Sequence, residues 1–432
     1  MTQTNEKINR AVLVGLWAHS LPKEENATDE TMEELVDLLK TAGGECVGMV
    51  QQSKDSPDPR TFIGEGKVEE VGSLVKAMDA DMVIFDNSLS PSQQRVLSEE
   101  LKVTVLDRSA LILDIFAKRA RTREGRLQVE LAQYKYLMPR LTGMWGHLVR
   151  QTASGGKSPI GTRGPGETQL ETDRRHIRRK ISKLEEELKE VRRIRATQRE
   201  RRIKNEVPVV AIVGYTNAGK STLLNHLTGA DIPANNRLFD TLDTTTRTLE
   251  ISDTCTVLLS DTVGFIRKLP HHLVEAFKAT LEELAFADLL LHVIDASNPE
   301  WREQAEVVNR LIVELGAEQT PRIEVFNKCD LWTGEIRPHG DGIVSISAKT
   351  GEGIPDLLSA IGKRLDNGAR RVTIHLPYHK GGILEQLYQE AKVESVEYGE
   401  TIDIVAVCTP KTIGQLRELV EGWKPHKEPW ED

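Results

Sequence analysis

Apolar runs alternate with helical patterns over the first 107 residues of the chain. The helical patterns begin with the acidic first turn after Thr28 and continue near Val68–Ala77 and Pro91–Leu101. Repeated strand-helix-strand units predict a small parallel sheet with helices on both faces. The Gly-rich loop Gly64–Lys67 precedes one helix, and a simple turn is favoured there over a phosphate site. The apolar runs predict a buried strand at Ala11–Trp17 and further strands at Cys46–Val50, Asp81–Phe85 and Val103–Leu106.

A long helical hairpin is predicted over residues 108–207. Its first helix spans Arg108–Leu141, with an interruption near Gly125, and its second helix spans Glu167–Lys204. An apolar seam with heptad spacing usually pairs with a neighbouring helix, so we expect the two helices to lie antiparallel. The apolar positions of the first helix are Leu111, Ile115, Leu127, Leu131 and Tyr134. Those of the second are Ile177, Ile181, Leu184, Leu188 and Val191.

The two helices are joined by a long loop, residues 142–166, with seven glycines and the cations Arg150, Lys157 and Arg163. Glycine lets the backbone approach a ligand closely, and arginine pairs with phosphate through a planar fork. A loop of this length without regular structure is usually either functional or disordered. Two interpretations stay open: a tip that contacts RNA, or a disordered linker.

A strand, a Gly-rich turn and a helix follow at the centre of the chain. The apolar run Val209–Val213 leads into Gly214–Ser221, whose spacing is G-x-x-x-x-G-K-S. This order is typical of a loop that wraps a polyphosphate with backbone N–H groups. Lys220 is placed to reach the β- and γ-phosphates, and the Ser221 hydroxyl to ligate Mg²⁺. The predicted nucleotide contacts are Gly214, Tyr215, Thr216, Asn217, Ala218, Gly219, Lys220, Ser221 and Thr222.

Three shorter motifs follow in the order expected of a guanine-nucleotide switch, each at the C-terminal end of a predicted strand. In Asp261-Thr262-Val263-Gly264, the aspartate is placed to hold Mg²⁺ through water and the glycine N–H to sense the γ-phosphate. In Asn327-Lys328-Cys329-Asp330, the last carboxylate can accept the N1–H and exocyclic amine of guanine, which adenine does not present. Ser347-Ala348-Lys349 offers backbone N–H groups to the guanine O6. The motifs predict GTP rather than ATP.

Two segments are predicted to respond to the γ-phosphate. The first, 231–247, contains Phe239-Asp240-Thr241-Leu242-Asp243, and it holds four threonines among which the pattern does not choose the Mg²⁺ ligand. The second, Phe265–Lys278, starts with phenylalanine where many GTPases place a glutamine that orients the attacking water. A phenyl ring cannot form the hydrogen bond that orients the attacking water. We therefore expect slow intrinsic hydrolysis of GTP and a partner that supplies the missing group. Asn217 is a candidate potassium ligand or a residue suited to turn geometry.

The last residues, 367–432, predict a small α+β domain with no catalytic constellation. Its strands are expected at Arg371–Leu376, near Val393–Glu397 and at Ile402–Val407, with helices at Gly382–Ala391 and Lys411–Trp423. The chain as a whole therefore belongs to the α/β class. Its predicted domains are a parallel-sheet domain, the hairpin, a P-loop GTPase domain and the α+β domain: residues 1–107, 108–207, 208–366 and 367–432.

Charge changes the interpretation of the hairpin. Residues 108–207 contain 25 Lys and Arg against 12 Asp and Glu, a net of +13, whereas the whole chain has a net charge of −9. The rest of the chain therefore carries −22. A basic middle between acidic ends is a candidate surface for a polyanion such as RNA. The competing interpretation is a long helix whose charges only keep it solvated.

Composition and cysteine usage are those expected of a soluble cytoplasmic protein. Apolar residues make up 39% of the chain and charged residues 28%. No run approaches the roughly 18 apolar residues that span a bilayer, and the start of the chain lacks the regions of a signal peptide. The cysteines show neither metal-ligand spacing nor a disulfide framework, so we expect them to be buried or idle: Cys46, Cys255, Cys329 and Cys408.

These motifs together resemble the HflX family of translation-factor-related GTPases, over nearly the whole chain. Gly161–Asp173 is the most specific of them, because generic GTPases lack it. Where family members often have Leu-Asp-Pro-Thr-Thr-Arg, this chain has Thr244 in place of the proline, a change that we expect to loosen the first switch without removing a ligand. The resemblance is carried by Thr61–Lys67, Arg126–Gln133, Gly161–Asp173, Gly214–Ser221, Phe239–Asp243 and Asp261–Gly264.

The resemblance implies a stress-responsive enzyme that converts GTP to GDP and phosphate, slowly alone and faster on ribosomes. It implies binding to the large ribosomal subunit and its rRNA, with the hairpin tip near the peptidyl-transferase region, and splitting or rescue of stalled ribosomes. It points to Thr241 as the first-switch Mg²⁺ ligand and to a hydrophobic residue at Phe265. The expected metal ligands are then Ser221, Thr241 and Asp261, and the expected catalytic residues Lys220, Thr241 and Gly264.

Two other functions fit the sequence less well. A GTP-dependent regulatory adaptor that binds a protein partner needs no segment of charge +13, so the hairpin favours the ribosome. An ATPase or helicase with a second site in residues 1–107 rests on Gly64–Lys67 alone. We expect GTP or GDP and Mg²⁺ as ligands, K⁺ as a candidate, no DNA partner and a monomeric chain.

Overall fold

The structure is a computed structural model, and its described residues fall into two compact units. The first unit takes in residues 1–201, 234–244 and 263–282, and the second takes in 202–233, 245–262 and 283–432. The first unit therefore includes most of both predicted switch segments. The described residues are 9–141, 165–204, 207–230, 238–239, 245–252, 255–269, 273–274, 282–334, 337–366, 368, 370–408 and 410–416.

The first unit is built on a four-stranded parallel sheet, as the sequence predicts. The strand order is β2-β1-β3-β4, so the direction of winding reverses between β1 and β3. In open α/β sheets, such a reversal leaves a crevice at the carboxyl ends of the strands. The strands are β1 (Asn9–Ala18), β2 (Gly44–Lys54), β3 (Met82–Phe85) and β4 (Thr104–Asp107). The helices are α1 (Asp29–Ala42), α2 (Glu65–Ala77), α3 (Pro91–Leu101) and α4 (Arg108–Arg119).

Local capping explains where these helices begin. Thr28 and Ser90 each form a capping box with the residue three positions later, at the starts of α1 and α3. The Gly64 amide, at the start of α2, donates to the Gln52 side chain at 2.9 Å. Lys67 in the same turn pairs with Glu70 at 2.7 Å. The contacts of the Gly64–Lys67 loop are therefore internal, which favours the simple turn over a phosphate site.

The interruption predicted near Gly125 lies earlier in the chain. Helix α4 ends at Arg119, and helix α5 (Arg123–Leu137) starts after Thr122, whose hydroxyl accepts the Gly125 N–H at 3.0 Å. Gly125 is therefore inside the first turn of α5, and the N-cap residue sets the break. The helix predicted over Arg108–Leu141 is thus interrupted, as expected, but between Arg119 and Arg123 and not near Gly125. Its apolar positions serve two different partners, because those of α4 are buried in the sheet domain and those of α5 face the hairpin.

The hairpin pairs α5 with α6 (Pro165–Lys204), a helix of 40 residues. Leu131 packs with Leu184 and Leu188 at the predicted seam. Ion pairs cross between the helices in antiparallel order: Lys135 to Glu185 at 3.1 Å, Arg123 to Glu187 at 3.5 Å and Arg195 to Glu124 at 2.6 Å. The predicted antiparallel pairing is therefore present. Most of the predicted tip, residues 142–164, lies outside the described residues.

The base of the hairpin is attached to the sheet domain through Asp107, a fully buried carboxylate at the end of β4. Asp107 caps α4 by accepting the Ala110 N–H at 2.9 Å. It also accepts the Tyr136 hydroxyl of α5 at 2.9 Å and an Arg140 guanidinium N–H at 3.1 Å. Burial, reinforced by the Asp107 charge, raises the pKa of Tyr136. The phenol therefore stays protonated and donates to the carboxylate that fixes the start of the hairpin.

The second unit contains a six-stranded sheet, ordered β10-β9-β8-β5-β7-β6, in which only β6 is antiparallel to its neighbour. Its core is formed by the apolar runs of the central strands packed against the flanking helices. The strands are β5 (Val209–Gly214), β6 (Thr245–Glu250), β7 (Thr256–Asp261), β8 (Leu289–Asp295), β9 (Arg322–Asn327) and β10 (Ile343–Ser345). The helices are α7 (Lys220–Thr228), α8 (Trp301–Glu314) and α9 (Ile354–Leu365).

The α+β arrangement predicted for the end of the chain is also present. An antiparallel sheet, ordered β11-β13-β12, packs its buried residues against two helices. The strands are β11 (Arg370–Leu376), β12 (Lys392–Tyr398) and β13 (Ile402–Cys408). The helices are α10 (Gly382–Glu390) and α11 (Pro410–Leu416). The end of the predicted last helix, residues 417–423, lies outside the described residues.

Neither membrane-spanning helices nor disulfides were expected from the sequence. Among the residues that the structure describes, no helix is both long and apolar enough to cross a membrane. The four cysteines are free thiols: Cys329 and Cys408 are buried, and Cys46 and Cys255 are half-buried. Burial raises the pKa of the Cys408 thiol to about 11, so it stays protonated.

A buried histidine in the second unit makes stability depend on pH. His292 in β8 is 1% exposed, and burial lowers its pKa to about 4. The unfolded chain, with an ordinary histidine pKa, binds a proton between about pH 6.5 and 4 that the folded chain does not. This contribution to stability is full above pH 6.5 and is lost as pH falls. We expect urea unfolding to show a loss of about 2 kcal/mol from His292 between pH 7 and 5.

Two variants check the source of that loss. His292→Leu should lose less stability than the wild type between the two pH values. His226→Gln, which removes an exposed histidine of α7 in the same unit, should behave as the wild type. Equal pH dependence in wild type and His292→Leu would exclude His292 as the cause.

Candidate nucleotide-binding site

Two glycines are sterically required in the loop between β5 and α7. A Cβ on Gly214 would lie 2.3 Å from the Val293 carbonyl oxygen of the neighbouring strand. A Cβ on Gly219, whose φ is 94°, would lie 2.2 Å from Asn327 Nδ2. Contacts this short are not tolerated, so only glycine fits at either position. The loop consequently lies directly on the sheet edge and opens into the first turn of α7.

Lys220 lies inside this loop and is 6% exposed. Its Nζ donates to the carbonyl oxygens of Gly214 at 3.1 Å and Tyr215 at 2.7 Å. Burial lowers the pKa of Lys220 to about 8, and the Asp261 charge opposes this effect. A lysine held this way is poorly compensated, so a polyphosphate at the loop would strongly favour its charged form.

The two candidate magnesium ligands of this unit lie next to each other. Ser221 Oγ donates to Asp261 Oδ2 at 3.1 Å. Asp261 is fully buried at the end of β7, and the following Thr262 hydroxyl donates to the Ile212 carbonyl at 2.6 Å. The Thr262 bond fixes the carboxylate beside α7. A hydroxyl and a carboxylate are the hard oxygen donors that Mg²⁺ prefers.

Asn327 has a structural role that the sequence does not reveal. Its Nδ2 donates to the Ala218 carbonyl at 2.8 Å, and its Oδ1 accepts the Ala348 N–H at 2.9 Å. One buried side chain therefore joins the phosphate loop to the loop predicted to contact the guanine O6. A side chain that bonds two backbones leaves no periodic pattern, so only the motif itself could have indicated this residue.

The remaining base-site residues lie on the segment that follows Asn327 at the end of β9 and on the loop of Ala348, to which Asn327 is bonded. Lys328 adopts a left-handed φ of 63° and donates to Asp295 at the end of β8, at 2.6 Å. The Asp330 side chain is exposed two residues later. Ser347 is fully buried, and its hydroxyl accepts the Thr350 N–H at 3.3 Å. The Lys328–Asp295 pair is a second contact that sequence reasoning missed.

Two further loop residues bear on the interpretation of the site. The Thr216 side chain is 6% exposed, and its hydroxyl has no hydrogen-bond partner among the described residues. A buried hydroxyl in a phosphate loop is suited to a ligand oxygen. Asn217 is exposed with a left-handed φ of 62°, a conformation that asparagine tolerates well. Turn geometry thus accounts for Asn217, and a potassium ligand at this position stays a prediction.

The predicted switch residues are only partly described. Asp240, Thr241, Leu242 and Asp243 lie outside the described residues, whereas Phe239 is buried with a φ of 58°. Val263 and Gly264 follow Asp261 and Thr262 in the chain and are buried in the first unit. Phe265 is 1% exposed, so its ring is packed in protein rather than facing solvent.

The residues present suit a nucleoside polyphosphate with Mg²⁺. The glycine-lined loop, the buried lysine and the Thr216 hydroxyl match the phosphates, and Ser221 with Asp261 matches a hard cation. Asn327 aligns the base-reading loop with the phosphate loop. Lys349 is exposed and follows the buried Ala348 in the chain. Asp330, on the neighbouring loop, is also exposed. We interpret all these residues as one nucleotide site.

The predicted role of Asp330 in the selection of guanine can be tested directly. We predict that Asp330→Asn moves the preference of the protein from GTP toward XTP, because the amide matches the C2 carbonyl of xanthine. The exposed side chain contributes little to the core, so folding should be unaffected. Competition between GTP and XTP for binding gives the ratio, and Asp341→Asn, an exposed aspartate of the same unit, is the control. Unchanged selectivity would exclude Asp330 as the base reader.

Four protein-family models match consecutive parts of the chain. "GTP-binding GTPase N-terminal" covers residues 29–117 and "GTP-binding GTPase Middle Region" covers 119–202. "50S ribosome-binding GTPase" covers 209–328 and "HflX C-terminal domain" covers 337–430. The third match contains the phosphate loop and the Asn327–Lys328 pair. Most of the chain is therefore accounted for by parts of one family.

Individual relatives agree with these matches. GTPase HflX of Caldanaerobacter subterraneus subsp. tengcongensis is 49% identical, covering 95% of this chain and 94% of that one. GTPase HflX of Escherichia coli strain K12 is 46% identical, covering 84% and 86%. Among solved structures, a GTP-binding protein from Sulfolobus solfataricus in complex with GDP is 24% identical, covers 83% of this chain and 99% of that one, and has a TM-score of 0.43. This chain therefore belongs to the HflX family of GTP-binding, GTP-hydrolysing proteins.

Proposed function

We propose that this GTPase is a molecular switch that binds the large ribosomal subunit and its rRNA, and splits or rescues stalled ribosomes under stress. The observation that carries the proposal is that one chain combines the nucleotide site with a basic helical hairpin. The match of residues 209–328 to a 50S ribosome-binding GTPase model supports the same partner. We further propose that the protein acts as a cytoplasmic monomer.

Different residues of the site bind the phosphates, the base and Mg²⁺. Lys220 and the backbone N–H groups of the phosphate loop hold the β- and γ-phosphates, and Asp330 selects guanine. Mg²⁺ would be held by Ser221, by Thr241 and, through water, by Asp261, where it would neutralise charge on the phosphates. The Gly264 N–H would sense the γ-phosphate. Loss of that phosphate then releases both switch segments.

The hairpin supplies the surface for rRNA. Its apolar seam is buried between α5 and α6, so charged side chains cover the outer face of α6. Phosphate contacts by such cations provide affinity that does not depend on base sequence. The exposed cations of α6 include Arg175, Arg178, Arg179, Lys180, Lys183, Lys189, Arg192 and Arg193.

Hydrolysis by the isolated protein should be slow. Phe265 stands where many GTPases place a water-orienting glutamine, and its ring is buried. No hydrogen bond from this residue can position the attacking water, so the ribosome would complete the site. Asn217 remains the candidate ligand if K⁺ is required.

Cosedimentation with purified ribosomal subunits tests the proposal. The protein should pellet with large subunits in the presence of a non-hydrolysable GTP analogue and not with GDP. Because rRNA contacts release counterions, binding should fall steeply between about 50 and 200 mM salt. Large subunits should also stimulate hydrolysis many-fold, and intact ribosomes should separate into subunits.

A regulatory adaptor that uses GTP only to expose a protein-docking surface is the alternative. It would show nucleotide-dependent binding to a protein, weak dependence on salt and no stimulation by large subunits. That combination of results would replace the ribosomal function. The charge of +13 on residues 108–207 favours the ribosome.

A further inference from the structure

A lysine of the second switch is buried in the sheet domain of the first unit. Lys268 lies seven residues after Asp261 in the chain, and its side chain is 9% exposed. Its ammonium group contacts the carboxylate of Asp86, a residue with no exposed side-chain surface. Burial lowers the pKa of Lys268, and the Asp86 charge opposes this effect. The contact is thus a buried ion pair between residues 182 positions apart.

Asp86 lies at the carboxyl ends of the strands of the sheet. It directly follows β3, and its N–H donates to the Val14 carbonyl of β1 at 2.8 Å. It therefore lies at the carboxyl edge between β1 and β3, where the strand order reverses and α/β sheets commonly bind ligands. The Thr31 hydroxyl donates to the same carboxylate at 2.7 Å. Lys268 thus lies where a ligand of such a sheet would be bound.

Asp86 has a second cationic partner, Arg108, among the described residues. Arg108 is 2% exposed, contacts Asp86 at 2.8 Å and also pairs with Glu34 of α1. The cluster then contains two carboxylates, one guanidinium and one ammonium. Without the ammonium, the buried Asp86 carboxylate loses one of its described cationic partners, and removing one partner of a buried ion pair is strongly unfavourable. The cluster therefore holds the second switch in its present position.

The first switch contacts the same domain through an aromatic pair. The Phe239 ring packs edge-on against Phe116 of α4, with centroids 4.7 Å apart and both side chains almost fully buried. Phe239 and Lys268 both adopt left-handed backbone conformations, with φ of 58° and 55°. Such conformations are uncommon for non-glycine residues and persist where surrounding contacts hold them.

We propose that Lys268 is a positioning residue of the GTPase, and that Asp86, with Glu34 and Arg108, forms a latch through which the sheet domain holds the second switch and responds to the bound nucleotide. A rearrangement of Gly264 around the γ-phosphate moves the backbone four residues before Lys268. The latch therefore stabilises the GTP-bound and GDP-bound states to different extents. By reciprocity, its removal changes the relative affinity for the two nucleotides. The proposed latch rests on the binding and hydrolysis of GTP by this chain, and it does not require the ribosome.

The test uses the full-length protein without ribosomes. Lys268→Met keeps the aliphatic stem and removes the charge, whereas Lys268→Arg keeps the charge. We expect Lys268→Met to change the ratio of GTP to GDP affinity about tenfold, as for loss of a buried charge pair. We expect Lys268→Arg to change it less than about twofold. Hydrogen exchange should become faster over residues 262–269 in Lys268→Met alone.

Asp86→Asn tests the other side of the latch. It should shift the affinity ratio in the same direction as Lys268→Met, and the double variant should go no further than the larger single effect. Lys40→Met, which breaks an exposed pair with Asp37 on α1, is the control and should resemble the wild type. If Asp86→Asn does not fold, the two Lys268 variants decide the question.

Either of two results would overturn the latch: an affinity ratio for Lys268→Met within twofold of the wild type, or additive effects in the double variant. Neither would bear on the ribosomal proposal, which has its own sedimentation test. Conversely, a protein that did not bind ribosomes could still show the latch.

Discussion

We expect Lys220→Ala to abolish nucleotide binding in the purified protein. Lys220 is buried in the loop that we propose binds the phosphates, and its ammonium group donates to two backbone carbonyls of that loop. Charge-assisted hydrogen bonds to phosphate are stronger than neutral hydrogen bonds. Losing two of them weakens nucleotide affinity by about 100-fold or more. Isothermal titration calorimetry with GTP and with GDP, each with Mg²⁺, measures the effect.

The matched control is Lys363→Ala, which removes the same charge from an exposed position of α9 in the same unit. It should bind both nucleotides as the wild type does. Retained GTP affinity in Lys220→Ala, with the control normal, would contradict the assignment of this loop to phosphate. Circular dichroism of both variants separates loss of binding from loss of folding.

Replacing Gly161–Gly166 with a neutral linker of equal length should remove the ribosomal effect. The segment includes Arg163 and belongs to the tip that we expect to contact rRNA. Since it is not part of the nucleotide site, intrinsic GTP hydrolysis should stay within about twofold of the wild type. Stimulation by large subunits and ribosome splitting should both be lost, as single-turnover hydrolysis and sucrose-gradient profiles would show.

A charge control accompanies this variant. Arg364→Ala removes one cation from an exposed pair with Asp341 and should leave ribosomal stimulation intact. Intact splitting by the linker variant would exclude the tip as the acting element, and the basic face of α6 would then become the region to alter. Loss of intrinsic hydrolysis would mean that the replacement had disturbed more than the tip.

Where local spacing encodes structure, the sequence predicted the fold well, and it placed candidate site residues that are adjacent in the structure. The strand before Gly214, the helix after Lys220 and the placement of Asp261 beside Ser221 all follow from one motif and the rule that functional loops lie at the carboxyl ends of parallel strands. The parallel sheet of the first unit also followed, because a short apolar run lies within each of its strands.

The errors and omissions arise where a partner is distant in sequence. The pattern from Arg108 to Leu141 predicted an interruption near Gly125 and assigned both halves to the hairpin, because periodicity shows which face is apolar and not what that face packs against. The Thr122 cap that divides it is a single hydrogen bond. Asn327 and Lys268 form contacts with residues 109 and 182 positions away, and no local pattern contains that information.

The position of Lys268 has a consequence for experiments that divide the chain. A fragment ending near residue 207 would contain Asp86, Glu34 and Arg108 but neither Lys268 nor Phe239. Its acidic crevice would lose the ammonium group that balances it, and Phe116 would lose its aromatic neighbour. The behaviour of such a truncated protein would describe a surface that the intact chain keeps covered, so point variants are the better means of studying this domain.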